Sequence, residues 1–280
     1  MAVRTASLFA FFLMNAYAGS QILVHGHRGA RAVRPENTMP AFEYAIGIGV
    51  DVLELDVAVT KDNVLVASHD PHMNPAICTA PAGWKGPDVI REMTLAELRQ
   101  WDCGAKKNPQ FPRQEPVPGT KVPTLDEVFA LAPRGTFEFN VETKIFPKKP
   151  ELTPPAEEFA RLLLAAIRKH KLEKRVIVQS FDFRTLTAMK ALAPEVRLSA
   201  LFEPFGSWDT VKAAVEAGAQ IISPHYRLVT NAYVERAHKA GLQVVPWTAN
   251  EEDLWRKLVD AKVDAIISDD PAALLAWLKR

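Results

Sequence analysis

The stretch "DVLELDVAVTKDNVLVASHD", Asp51 to Asp70, holds two strand-like runs divided by the turn residues Thr60 to Asn63. Side chains on a strand alternate between faces, and the first run alternates cleanly: Val52, Glu54 and Asp56 on one side, Leu53, Leu55 and Val57 on the other. A second parallel strand would need a crossover of about a dozen residues, and the turn leaves room only for a hairpin. "VLVASHD" is therefore an antiparallel appendage. Working outward, "QILVHG" precedes, and "FEFNVETK" (137–144), "VIVQSF" (176–181), "RLSALF" (197–202), "QIISPH" (220–225), "LQVVPW" (242–247) and "VDAIIS" (263–268) follow, spaced by amphipathic stretches. Setting the appendage aside leaves eight parallel strands, which predicts an α/β fold of the closed (β/α)8 (TIM) barrel type.

Punctuation between the strands agrees. Asp182, Thr230, Asn250 and Asp270 stand at helix N-cap positions, the last before Pro271, and Gly218 and Gly241 where left-handed C-terminal caps belong. Thr38 is read as an N-cap with Pro40 in the first turn, and Glu36 and Asn37 as braces of the loop before it. Arg31 and Arg34 are read as surface. From about 70 to 122 the rhythm stops in a Pro- and Gly-rich tract around one short helix, "TLAELRQW". So long a connection predicts a small insertion subdomain covering part of the barrel mouth.

At the N-terminus Arg4 leads into "ASLFAFFLM" and then "NAYA", which predicts a secretory signal peptide over residues 1–18, cleaved after Ala18, with residues 19–280 as the mature barrel domain. The run is short of the about 20 apolar residues of a membrane span, and no later run is long enough. The expected location is a periplasm or the outside of the cell. Export permits a disulfide between Cys78 and Cys103, and two free thiols fit the sequence equally. With 34 Lys plus Arg against 33 Asp plus Glu, the net charge is +1, so no basic field invites nucleic acid or an anionic membrane. The expected partner is a small molecule.

Charge is instead local. Glu54 and Asp56 share a strand face, as do Glu138, Asn140, Glu142 and Lys144, while the apolar faces pack beneath the helices. Inward carboxylates near strand ends require a counter-charge or a cation. Glu54, Asp56 and Glu142 are oxygen donors suited to one divalent cation, Mg²⁺ or Ca²⁺, and no Cys/His cluster has zinc spacing. The alternative is an internal ion-pair network with Arg28 and Lys144. His27 and His69 each end a strand beside these acids, which suits a general acid/base pair. His25, His72, His170, His225 and His238 lack that company.

The segments "HRG" with "PENT", "ELDV", "TKDN" leading to "SHD", "NVETK", "QSF" and "WTAN" together resemble the glycerophosphodiester phosphodiesterase family, in its order and over nearly the whole mature chain. The resemblance implies an enzyme that hydrolyses glycerophosphodiesters to sn-glycerol 3-phosphate and an alcohol. It implies His27 and His69 as the acid/base pair, Glu54, Asp56 and Glu142 around a divalent cation, and Arg28 and Lys144 on the phosphate. Phe181 and Trp247 would wall the glycerol or leaving-group subsite. His25, two residues before His27, departs from the plainer apolar pattern and has no implied role. Two alternatives stand beside this reading. One is a related (β/α)8 phosphodiesterase of phospholipase D type acting on lysophospholipid or sphingolipid head groups. The other is an exported phosphodiester-binding protein without turnover, which would not need two histidines.

Overall fold

The computed structural model describes residues 22–206 and 209–279. The segment read as a signal peptide lies outside the described residues. The strands are β1 Leu23–Gly26, β2 Val52–Val59, β3 Leu65–Ala67, β4 Glu138–Thr143, β5 Val176–Ser180, β6 Arg197–Phe202, β7 Ile221–Pro224, β8 Gln243–Val244 and β9 Ala265–Ser268. Eight of them pair in parallel in the order β8-β7-β6-β5-β4-β2-β1-β9, and β3 pairs antiparallel with β2, with a further bridge from Val66 to Thr124. Backbone bonds from Asp264 N to Val244 O, Ile267 N to Pro246 O and Ala249 N to Ile267 O cross the seam between β8 and β9. The barrel is a (β/α)8 barrel, as the turn at Thr60–Asn63 predicts.

β8 is shorter than the run "LQVVPW". Pro224 of β7 has no N–H to donate toward β8, so the ladder lapses there, although Val245 N and Trp247 N still bond to β7, and it resumes as a single bridge between His225 and Trp247.

The helices are α1 Met39–Ile48, α2 Leu95–Leu98, α3 Leu125–Phe129, α4 Ala156–Lys169, α5 Phe183–Leu192, α6 Thr210–Glu216, α7 Asn231–Lys239, α8 Glu252–Asp260 and α9 Pro271–Leu278. α4 shows why they form. Phe159, Ala160, Leu163, Leu164 and Ile167 recur at three- and four-residue intervals and are buried, with Glu157 and Glu158 in the first turn and Arg168 and Lys169 in the last. Its apolar stripe joins the outward strand residues Leu53, Leu55, Phe139, Val141, Val176 and Val178 in the main core.

Asp182, Thr230 and Asp270 accept N-cap hydrogen bonds as expected. Two expected caps differ. Thr38 has the extended cap backbone, but its hydroxyl donates to Pro35 O, so the side chain closes the preceding turn instead. Asn250 makes no N-cap bond: Glu251 is the N-cap of α8, and the Asn250 amide is engaged by Asp269 at the end of the neighbouring strand β9.

Between β3 and α3 the chain builds a cluster of its own, with Met73, Ile90, Met93, Leu98 and Trp101 buried around a Cys78–Cys103 disulfide. α2 opens on a capping box of Thr94 and Glu97. The tip of this insertion lies on the β1–α1 loop, where Gln114 Nε2 donates to Arg31 O and Arg34 O.

Candidate active site

β2 and β4 are parallel neighbours in a register that sets Asp56 beside Glu142 and Glu54 beside Asn140. Strand alternation therefore turns Glu54, Asp56 and Glu142 to one interior face, where all three are buried and offer oxygens within 4.8 Å of one another. From the end of β1, Arg28 joins them: its backbone N–H donates to Glu54 Oε2 at 2.9 Å, and its Nε lies 3.1 Å from Asp56 Oδ2. Arg28 has φ of 50° and Gly29 φ of 85°, a left-handed pair that swings the chain back over the strand end. A Cβ on Gly29 would lie 2.7 Å from the Ala41 backbone, so this close turn requires glycine.

The acids are individually placed. Gln179 Nε2 donates to Glu54 Oε1 at 2.7 Å and is itself held by Asn140. Asn37 Nδ2 donates to Asp56 Oδ2 at 2.9 Å, and Asp56 N returns a bond to Asn37. Lys144 Nζ donates to Glu142 Oε1 at 2.6 Å and stands 3.6 Å from Asp56 Oδ1. Glu36 takes a 2.6 Å bond from Arg28, so its bracing role extends to the site itself.

Burial, and then the charge on Asp56, raises Glu54 well above the usual carboxylate range; burial also raises Glu142. Burial would raise Asp56 too, but Arg28, His69 and Lys144 outweigh it and hold it well below. Arg28 and Lys144 thus do pair with the acids, as the ion-pair alternative requires. They do not balance them: Glu54, Asp56 and Glu142 share Arg28 and Lys144, and Arg28 also serves Glu36, whose other oxygen lies 3.9 Å from Arg31. Asp56 Oδ1 is moreover buried without a hydrogen-bond donor. An all-oxygen set with surplus negative charge and an orphaned carboxylate oxygen fits a hard divalent cation.

The two histidines are built alike. His27 Nδ1 lies 2.5 Å from Asp269 Oδ1, and His69 Nδ1 lies 2.8 Å from Asp70 Oδ1. An ionised carboxylate only accepts, so each Nδ1 carries a proton and each Nε2 is the nitrogen turned away from its aspartate. His27 Nε2 stands 3.9 Å from Glu54 Oε2, beside the cluster. Burial, then the Arg31 guanidinium, push His27 down to about 4, so the ring is neutral at pH 7. The hydrogen bond from His69 is the main cause holding Asp70 low.

At the same end of the barrel, Phe181 after β5 and Trp247 beyond β8 meet edge to face at 5.5 Å, with Trp247 also against His225. Phe181 is 39% exposed, an apolar surface open at the mouth. Of the remaining histidines, His25 is buried inside the barrel near Asn140, and His72, His170 and His238 pair with Asp88, Asp126 and Asp264.

Sequence reasoning missed Asp269, and it misread Arg31, which is no surface residue: its Nε bonds Asp269 Oδ1 at 2.6 Å. The available signal was an acid directly after "AIIS", at a strand C-terminus where the other site residues stand. Gln179, the next-to-last residue of β5, offered a polar side chain near a strand C-terminus.

The family model for the glycerophosphoryl diester phosphodiesterase family matches residues 27–273. The chain belongs to that family. It is an enzyme of the family, a phosphodiesterase built on a (β/α)8 barrel. A glycerophosphodiester phosphodiesterase of Caldanaerobacter subterraneus subsp. tengcongensis is 33% identical over 258 residues, covering 92% of this chain and 98% of its own. A solved structure from Silicibacter pomeroyi DSS-3 matches with a TM-score of 0.87 at 32% identity, over 93% of this chain and 94% of that one. An Oleispira antarctica phosphodiesterase, solved in complex with the product sn-glycerol-3-phosphate, matches with a TM-score of 0.77 over 92% of this chain and 97% of that one; at 24% identity it bears on the fold alone.

Proposed function

We propose that this chain hydrolyses glycerophosphodiesters to sn-glycerol 3-phosphate and an alcohol, with His27 and His69 as its acid/base pair. The observation that carries this reading is the matched pair of imidazoles, each with Nδ1 on an aspartate, beside an acidic cluster that also bears Arg28 and Lys144. A binding protein would have use for the cluster and the cations but not for two imidazoles so oriented.

Glu54, Asp56 and Glu142 would hold the divalent ion, Mg²⁺ or Ca²⁺, which when bound supplies Lewis-acid polarisation of the phosphoryl oxygen. Arg28 and Lys144 neutralise charge gathering on the non-bridging oxygens, Arg28 through a planar guanidinium already fixed by Glu36 and Asp56. One histidine takes the proton of the attacking oxygen. The other gives a proton to the departing alkoxide as the phosphorus–oxygen bond breaks. Phe181 and Trp247 exclude water from one side of the alcohol or glycerol moiety.

The test is an assay on glycerophosphocholine after exhaustive chelation, with Mg²⁺ or Ca²⁺ restored separately. Release of glycerol 3-phosphate only with a divalent ion is the expected result, and the more effective ion identifies the metal. Full activity without any ion makes the acidic cluster structural.

Export belongs to the same proposal. The Cys78–Cys103 disulfide favours an oxidising compartment. N-terminal sequencing of the protein recovered outside the cytoplasm is expected to begin at Gly19, and a start at Met1 would remove the leader.

A further inference from the structure

We propose that Asp269 is a positioning residue for His27 and that the insertion fixes it through Arg31. The inference rests on His27 serving as an acid/base group.

Both oxygens of Asp269 are committed. Oδ1 takes His27 Nδ1 at 2.5 Å and Arg31 Nε at 2.6 Å, while Oδ2 takes Asn250 Nδ2 at 2.7 Å and Arg31 Nη2 at 3.4 Å. Its backbone is tied on both sides, N–H to Asn250 Oδ1 and C=O from Ala32 N. A carboxylate so held presents one fixed acceptor to one ring nitrogen, which sets both the tautomer and the plane of His27. His69 has a looser arrangement, with Asp70 held by Asn74 and both partners more than a third exposed.

Arg31 stands outside the barrel staves, on the β1–α1 loop, and the insertion is what locates it. Its guanidinium lies over the Phe111 ring at 4.9 Å, and its carbonyl accepts from Gln114 Nε2 at 2.7 Å. Gln114 is 2% exposed, and its other end accepts from Asn108 N at 2.8 Å. A buried amide with every strong bond spent on holding backbone is a strut. The line Gln114, Arg31, Asp269, His27 therefore carries the insertion's placement to the reacting ring.

The experiment combines nitrogen-15 histidine NMR of the intact protein with the kinetics of Asp269→Asn, Gln114→Ala and His27→Ala. In the wild type, His27 is expected as the neutral Nδ1–H tautomer; an Nε2–H tautomer there overturns the inference without any variant. Asp269→Asn, whose amide can donate to Nδ1, is expected to shift His27 toward Nε2–H and lower kcat by at least ~10²-fold with little change in KM. Gln114→Ala, remote from the substrate, is expected to lower kcat about tenfold and broaden the same NMR signal. Wild-type kcat in Asp269→Asn alongside an inactive His27→Ala overturns this inference alone. An active His27→Ala overturns the reading of the site on which it rests.

Discussion

The residue scale is where the chemistry is tested. Replacing His27 or His69 by Ala is expected to lower kcat by at least ~10²-fold with the thermal midpoint largely kept, measured on glycerophosphocholine. Near-normal turnover in either variant would remove that ring from the mechanism. His25 offers a separate test through stability. Burial, and then Arg197, lower it from 6.5 to about 3, so between those values the unfolded chain binds a proton that the folded chain refuses. Its contribution is complete above pH 6.5 and declines as the pH falls, by about 1.4 kcal/mol per unit, or ~2 kcal/mol at pH 5. Chemical denaturation at pH 7 and pH 5 is expected to show a smaller loss in His25→Gln than in the wild type. Equal losses would mean that His25 is solvated. His25 also shows the limit of a sequence reading: alternation puts it on the face of His27, but only the closed barrel reveals that it lies below the site, beside Asn140.

At the scale of elements, the turn after β1 sets the geometry of the site. Arg28 reaches Glu54 through its backbone and Asp56 through its side chain only because Gly29 takes a positive φ and passes close to Ala41. Gly29→Ala combines an unfavourable φ with a clash against helix backbone, so a loss of about 1–3 kcal/mol is expected, with activity falling along with the displaced Arg28. A thermal melt and an assay check it together, and a midpoint equal to wild type would show that α1 can shift to make room. The hairpin at Thr60–Asn63 was legible because its length forbids a crossover. The short β8 was not, since the apolar run "LQVVPW" looks continuous until it is set beside β7, where Pro224 lacks the N–H the ladder needs.

Across the whole molecule, the acidic cluster makes stability depend on a cation. Glu54 and Glu142 are raised by burial without one, so an ion that binds the folded state alone stabilises it by about 2.7 kcal/mol at a hundredfold excess over Kd. At this size that is a rise of roughly 5–10 °C in the thermal midpoint on adding the preferred ion to chelated protein. Glu142→Gln is expected to abolish most of the rise, and an unchanged response would place the ion elsewhere.

What is periodic or short-range could be read along the chain: the strand count, the hairpin, the charged faces of β2 and β4, and the motifs that carry the family. Glu54, Asp56 and Glu142 were readable because a period of two and a parallel register need no further information to bring them together. Which partner each group takes depends on how the strands close in space. Asp269 and His27 are separated by 242 positions and meet because β9 closes on β1; an acid after "AIIS" marks a strand end, but nothing local to either segment names its partner. The same closure drew Asn250 away from its helix and Arg31 in from the surface. A buried carboxylate collects whatever donors the fold brings within reach, and which donors those are depends on the folded chain as a whole.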